Sequence, residues 1–315
     1  MKKVLAFGPL FIVIAALLWS FDGVLRVSLY SLPPTVIVFW EHIMGAVILF
    51  LFVGKWAKDL PKMTKKEWGA MTLVALLSGA LGTVLYTSAL QLIHFTQFSV
   101  VVLLQQLQPI SAILAASLLL REKITRKFLL YALLAISGAY LITFKNLEVN
   151  LVTGAGTALA GALALGAGLV WGSSTALSKV ALNKVSFLTG TALRFLIAPI
   201  FAFLFILGRG ELSDMLTLQS EQWWTLLLIT FSTGMVALLF YYYGLKRTPA
   251  RVCTLYELAW PASAIFIDYF MFGNTLSATQ FLGIAVLVVA VYMATKEAVK
   301  SGEEIGLKPA HLEVS

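Results

Sequence analysis

Long apolar segments recur along the whole of the 315-residue chain, separated by short stretches that carry most of its charge. A helix needs about 20 predominantly apolar residues to cross the hydrocarbon core of a bilayer. Of the residues, 60% are hydrophobic and 12% are charged, whereas soluble domains carry about 25% charged residues. These features exclude a soluble protein and predict an all-α membrane protein that crosses the bilayer many times.

Charged residues, glycines and prolines divide the apolar sequence into ten segments that can each form a membrane-spanning helix. Nearly all loop lysines and arginines fall on one side of the predicted membrane, with Lys145 and Arg209 on the other. By the positive-inside rule, we expect the N- and C-termini to be cytoplasmic. The ten predicted transmembrane helices are 5–29, 35–54, 68–90, 97–120, 127–144, 154–178, 187–207, 222–245, 251–272 and 277–295.

The two halves of the chain resemble each other at a constant spacing of 152 residues. Three matched pairs share this spacing: Trp19 with Trp171, Pro109 with Pro261, and Tyr140 with Tyr292. One spacing shared by separate positions indicates a duplicated unit, and five helices in each copy would give the two copies opposite orientations. The sequence therefore predicts two inverted five-helix repeats, residues 1–148 and 149–296, followed by a cytoplasmic tail at 297–315. Inverted repeats are typical of secondary transporters.

The repeated positions lie in short motifs. These are Trp19-Ser20 and Trp171-Gly172 in the first helix of each repeat, Ala89-Leu90 and Gly244-Leu245 at the end of the third, Pro109 and Pro261 in the fourth, and a turn at 120–124 that contains Glu122. At these residues, and over residues 5 to about 296, the sequence resembles the EamA-type carriers of the drug/metabolite transporter superfamily. The resemblance implies a plasma-membrane carrier of small metabolites such as amino acids, their breakdown products or quaternary amines. The second repeat differs from the first at this turn, because it has Asn274 at the position equivalent to Glu122.

Polar groups next to the two prolines are the first candidates for a substrate site. Glu257 lies one turn before Pro261, which frees the Glu257 carbonyl from its helical hydrogen bond. Aromatic rings beside a carboxylate suit a cationic or zwitterionic ligand, and the alternative is that the amides and the acid only satisfy the kinked backbone. The predicted substrate-binding residues are Glu257, Trp260, Tyr256, Tyr242, Gln105, Gln108, Trp19, Trp171 and Trp40.

Further ionisable residues inside the predicted helices are candidates for coupling or gating. Glu41 and Arg194 occupy nearly equivalent places in the two repeats, so we expect them to meet at the midplane. Such a pair either orients the helices or opens during transport, when Glu41 or its neighbour His42 takes up a proton. Asp22 precedes Arg26 by four residues, which is a favourable order and spacing for an ion pair on one helix, so we expect the two charges to neutralise each other. Asp268, near the end of its helix, is expected to reach the interface.

These features predict a secondary active transporter that moves an amino acid, an amine or a quaternary ammonium compound across the plasma membrane by alternating access, as an exporter or a proton-linked exchanger. The alternatives are a uniporter or importer of a cationic metabolite such as choline, a membrane-embedded enzyme and a channel. The sequence has neither a GxxxxGK[ST] phosphate loop nor metal-ligand spacing. We therefore expect no enzymatic activity, ATP, metal, cofactor or nucleic-acid partner. The expected partners are a small-molecule substrate, the lipid bilayer and protons, and the chain is expected to be a monomer or a homodimer.

Overall fold

A computed structural model describes residues 7–92, 104–149, 157–272 and 275–300. Within these ranges the chain is helical and has no strand, which confirms the predicted fold class. The α-helices are α1 (Phe7–Trp19), α2 (Asp22–Arg26), α3 (Pro34–Phe50), α4 (Val53–Trp56), α5 (Lys65–Val74), α6 (Gly82–Leu92), α7 (Gln108–Leu120), α8 (Arg126–Thr143), α9 (Thr157–Ala181), α10 (Phe187–Arg209), α11 (Ser220–Ile229), α12 (Ala237–Leu245), α13 (Ala250–Glu257), α14 (Ala259–Phe272) and α15 (Ala278–Lys300).

Seven helical segments of the described residues are long and apolar enough to cross a membrane, and an eighth is added if a bent pair counts as one crossing. The bent pair is Pro34–Phe50 with Val53–Lys62, whose axes differ by 78°. α7, with 13 residues, is too short by this criterion. The chain is thus a multi-pass membrane protein, while the count of ten helices stays a prediction.

Two π-helices occupy corresponding places in the two halves. Ala75–Leu81 joins α5 to α6, and Thr230–Val236 joins α11 to α12, with seven residues in each. The first lies against α10 and α3, and the second lies against α3. π-Helical turns are rare and frequently occur at functional sites, and nothing in the hydrophobic pattern predicted them.

The packing of the helices has the same pattern when the two halves are exchanged. α3 packs on α10 and α8 packs on α15, and each of these two pairs joins equivalent elements of the two halves. α7 of the first half packs on α13, which precedes α14, the equivalent of α7, in the second half. α1 packs on α12, α13 and α14 of the second half, and its counterpart α9 packs on α5, α6 and α7 of the first. This exchange indicates a pseudo-two-fold axis that relates the halves, with α1 and α9 each inserted into the opposite half.

The first predicted helix, 5–29, is interrupted, because α1 ends at Trp19 and α2 begins at Asp22. The Ser20 hydroxyl donates to the carbonyl oxygen of Leu17 at 2.6 Å. Serine hydrogen bonds of this kind compete with the helical backbone pattern. The interruption is local, since Gly8–Leu29 still forms one helical segment long enough to cross a membrane, with Asp22 and Arg26 in its second part.

Candidate functional site

A cavity of about 330 Å³ lies between the two halves and is lined by side chains of both. Two broken helices contribute to it. In the first half a turn at Gln106 and Leu107 precedes α7, and in the second Leu258 separates α13 from α14. Each break lies just before a proline, Pro109 or Pro261, as expected for a residue that lacks the backbone N–H. Small-molecule sites are commonly concave and about 300–1,000 Å³ in volume.

A chain of hydrogen bonds crosses the cavity from one half to the other. Gln105 Nε2 donates to Gln108 Oε1 at 3.2 Å, and Gln108 Nε2 donates to Glu257 Oε2 at 2.8 Å. The second carboxylate oxygen, Glu257 Oε1, accepts from the Tyr241 hydroxyl at 2.8 Å. The Tyr241 oxygen also lies 3.1 Å from Thr175 Oγ1. Glu257 therefore stands at the junction of the halves, held by an amide from the first and a phenol from the second.

Two tryptophan–tyrosine pairs line the cavity with nearly the same geometry. The rings of Trp19 and Tyr241 have centroids 5.2 Å apart and planes 55° apart, and those of Trp171 and Tyr86 have centroids 5.2 Å apart and planes 56° apart. In each pair the tryptophan comes from one half and the tyrosine from the other. Trp260 also lines the cavity.

A buried cluster of charges forms a further part of the lining. Arg26 Nε contacts Asp22 Oδ2 at 2.5 Å, and Arg26 Nη2 contacts Glu41 Oε2 at 2.8 Å. The Thr233 hydroxyl donates to Asp22 Oδ1 at 2.6 Å. Arg26 is 3% exposed and Glu41 is 5% exposed. Burying a single charge is unfavourable, and the pairing of opposite charges offsets this desolvation cost. His42 lies beside this cluster, with Nδ1 2.9 Å from the Val38 carbonyl oxygen.

The expected pair between Glu41 and Arg194 is not formed. Glu41 pairs instead with Arg26, which also pairs with Asp22. Arg194 Nη2 instead donates to the Ser78 carbonyl oxygen at 2.9 Å. Ser78 belongs to the first π-helix, where the wider turn alters the usual backbone hydrogen bonds. Arg194 Nε has no hydrogen-bond partner among the described residues. Glu41, His42 and Arg194 all line the cavity.

Six of the nine predicted substrate-binding residues line the cavity, and three do not. The six are Glu257, Trp260, Gln105, Gln108, Trp19 and Trp171. The Tyr256 hydroxyl lies 3.0 Å from Thr295 Oγ1, and the buried Tyr242 hydroxyl lies 3.4 Å from Ser178 Oγ. Trp40 Nε1 donates to the Met215 carbonyl oxygen at 3.2 Å. Asn274 and the Asp268 side chain lie outside the described residues.

Sequence reasoning missed a set of hydroxyl side chains that line the cavity. They are Thr83, Tyr86, Thr87, Ser174, Thr175, Ser178 and Thr254. The hydroxyls of Thr87, Ser174 and Thr254 are buried without a hydrogen-bond partner in the described part of the chain. A signal for them was present, because several are three or four residues apart and so share one face of a helix. No group of three or more His, Cys, Asp or Glu side chains in the described residues could hold a metal ion.

Duplicated helical halves, broken helices and a cavity between the halves that is lined by aromatic and polar side chains define a membrane transporter of the inverted-repeat class. The family model of the EamA-like transporter family matches residues 6–144 and 158–296. The chain belongs to the EamA-like transporter family, and it is a transporter rather than an enzyme.

Two relatives are transporters by name, and a solved structure shares the fold. The chain is 34% identical over 291 residues to the riboflavin transporter ImpX of Fusobacterium nucleatum subsp. nucleatum, covering 92% of this chain and 97% of that protein. It is 24% identical over 267 residues to an uncharacterized transporter of Synechocystis sp., covering 83% of this chain and 75% of that protein. A crystal structure at 17% identity matches with a TM-score of 0.68 over 93% of this chain and 98% of its own, which shows the fold alone.

Proposed function

We propose that this protein is a secondary transporter of riboflavin or a closely related flavin, which it moves through the central cavity by alternating access. Riboflavin is the substrate in the name of the 34% identical relative, and that relative aligns with 92% of this chain. The observation that carries the proposal is the composition of the cavity, whose lining contains both tryptophan and tyrosine rings and carboxamides and hydroxyls. A flat aromatic ring system with a polyhydroxyl chain has the chemistry to use both kinds of contact.

The charges of the cavity support an uncharged substrate. Arg26 balances part of the charge of Asp22 and Glu41, and the Glu257 carboxylate is satisfied by Gln108 and Tyr241. A cationic or zwitterionic metabolite, an amino acid, amine or quaternary ammonium compound, is the second candidate. It is favoured by Glu257, since the hydrogen bonds given to this carboxylate by the described residues come from neutral groups.

We also propose a membrane location, an orientation, two moving units and candidate residues for proton coupling. We place the protein in the plasma membrane with both termini cytoplasmic, on the distribution of lysine and arginine over the predicted loops. Residues 1–148 and 149–296 act as the two moving units, and Glu41, His42 and Arg194 are the candidates for proton coupling. Flux in both directions, measured in proteoliposomes with and without a pH gradient, tests the direction of transport and the coupling.

Binding of riboflavin to the purified protein in detergent tests the substrate. Stacking of a flavin on tryptophan quenches flavin fluorescence, so we expect saturable quenching that excess choline or amino acids do not reverse. Trp171→Leu should weaken riboflavin binding about 2- to 10-fold, because an aromatic contact contributes about 0.5–1.5 kcal/mol beyond its area.

Trp224→Leu is the matched control, since Trp224 is 71% exposed and does not line the cavity. The melting temperature of each variant shows whether it is folded. Absence of saturable riboflavin binding to the wild-type protein, together with stabilisation by choline or amino acids, would favour the second candidate.

A further inference from the structure

The two aromatic pairs of the cavity are alike in geometry, whereas the polar residues before the two prolines differ. The pairs Trp19–Tyr241 and Trp171–Tyr86 have matching separations and tilts. In the second half the tyrosine hydroxyl donates to Glu257. The residue equivalent to Glu257 in the first half is Gln105. A pseudo-symmetric site thus carries a carboxylate on one side and a carboxamide on the other.

From this asymmetry we infer that the cavity binds a planar heterocycle whose edge presents an N–H donor next to a C=O acceptor, and that Glu257 and Gln108 together recognise this edge. The flavin ring system has such an edge, an imide N–H between two carbonyls, so the inference rests on the proposed function and extends it. Glu257 is then the residue that selects one orientation of the ring between two otherwise similar aromatic pairs.

The hydrogen-bonding chemistry of the two side chains fits this edge. A carboxylate only accepts hydrogen bonds, whereas a carboxamide donates through its nitrogen. Gln108 Nε2 and Glu257 Oε2 are 2.8 Å apart, so a donor and an acceptor are presented side by side. Each Glu257 oxygen receives one hydrogen bond within the described residues and keeps a lone pair for a ligand N–H. Gln108 carries a second amide hydrogen that can reach the neighbouring carbonyl of the ligand.

The aromatic pairs fix the plane of the ring, and the carboxylate fixes its direction in that plane. Symmetry-related positions lie on opposite sides of the pseudo-two-fold axis, so Trp19 and Trp171 approach a ligand on the axis from both sides. Rings alone would hold a flat ligand in two orientations related by that axis. A charge-assisted hydrogen bond to Glu257, which is roughly twice as strong as a neutral one, favours one of them.

The test compares ligands that differ only at the imide nitrogen. Dissociation constants are measured for riboflavin and 3-methylriboflavin, and also for lumichrome and 3-methyl-lumichrome, which lack the polyhydroxyl chain. We expect methylation to weaken binding to the wild-type protein about 10- to 100-fold, the usual loss for a hydrogen bond to a charged group. In Glu257→Gln this ratio should fall to a few-fold, because the acceptor becomes neutral.

The steric cost of the methyl group is common to both proteins, so the change in the ratio isolates the hydrogen bond. Glu148→Gln is the matched control, because Glu148 is exposed and lies outside the cavity. It should leave the ratio at its wild-type value. The ligand comparison on the wild-type protein needs no variant and holds even if Glu257→Gln fails to fold.

The outcomes separate this inference from the proposed function. If riboflavin binds but methylation and Glu257→Gln leave its affinity unchanged, the edge recognition is wrong and the flavin proposal stands. If lumichrome binds with the expected discrimination and riboflavin does not, the edge recognition stands and the flavin proposal is wrong. If none of the four ligands binds the wild-type protein, both are wrong.

Discussion

Gly172 lies at a contact where α9 meets α7 beside the cavity. A Cβ atom at this position would lie 2.0 Å from Ser111 Oγ, 2.5 Å from the Gln108 carbonyl oxygen and 2.9 Å from the Ala112 nitrogen. Two of these atoms belong to the backbone and cannot rotate away. At Gly168, one turn earlier on the same helix, the nearest neighbour of a Cβ atom would lie at 3.4 Å, so the space for a side chain is smaller at Gly172.

We predict that Gly172→Ala lowers the free energy of unfolding by about 1–3 kcal/mol, the usual cost of forcing extra volume into a packed contact. Riboflavin binding should weaken as well, since the displaced Gln108 lines the cavity. Gly69→Ala is the matched control, because nothing lies within 4 Å of a Cβ built there. Because alanine has a higher helix propensity than glycine, Gly69→Ala should leave the free energy of unfolding unchanged or raise it by up to about 1 kcal/mol. Equal melting temperatures for the two variants in detergent would contradict this account.

α13 carries Glu257 at its last position, and its first turn is held by Glu122 from the turn after α7. Glu122 Oε1 accepts from the Ala250 nitrogen at 2.7 Å, and Oε2 accepts from the Arg251 nitrogen at 3.0 Å. A carboxylate at a helix N-terminus satisfies free backbone N–H groups and interacts favourably with the helix dipole. The acidic turn identified in the sequence therefore positions the helix that supplies the central carboxylate.

We predict that Glu122→Gln lowers the free energy of unfolding by about 1 kcal/mol and Glu122→Ala by about 1–2 kcal/mol, because the first loses the charge and the second also loses the cap. Thermal unfolding in detergent measures both changes. The exposed Glu148, substituted in the same two ways, serves as the control. The capping role would be wrong if the Glu122 variants unfolded at the wild-type temperature.

Related contacts join the two halves at the two faces of the molecule. Asp59, 5% exposed, accepts from the Ser186 nitrogen and from Thr189 Oγ1, both at 2.8 Å. Glu211, which follows Asp59 by the repeat spacing of 152 residues, accepts from the Thr35 hydroxyl on the opposite face. Each acid ties the segment after the second helix of its own half to the start of the second helix of the other half. Alternating access requires such contacts to open in turn.

We predict that Asp59→Asn opens the face on which Asp59 lies. Cys253 is a suitable reporter, because it is 0% exposed and lies at the start of α13, near this face. Its labelling by a maleimide should become about tenfold faster in Asp59→Asn, as expected when a hydrogen bond to a charged group is lost from a local opening reaction.

Glu211→Gln provides the matched control, because it weakens the equivalent contact on the opposite face. Labelling of Cys253 should keep its wild-type rate in this variant. Faster labelling in both variants would indicate general loosening rather than opening of one face. Unchanged labelling in both would contradict a closing role for Asp59.

Several residues of the candidate site were accessible to sequence reasoning, and others were not. Glu257 and Gln108 stood out because polar groups are rare within apolar helices, and Trp19 and Trp171 stood out because they recur at the repeat spacing. The pairing of Glu41 was predicted wrongly. Equivalent positions in two repeats do not imply contact: Glu41 pairs with Arg26 of its own half, and Arg194 donates to the Ser78 carbonyl oxygen.

The helical membrane-protein class, the duplication and the proline-broken helices follow from the sequence by itself. Backbone groups in lipid must be satisfied within helices, and a long apolar segment has few other conformations available. Tertiary structure alone decided the π-helices, the ring contacts of Tyr86 and Tyr241, and the partner of each buried charge. These depend on how each helix is rotated and where distant helices touch, which many small packing contacts determine together.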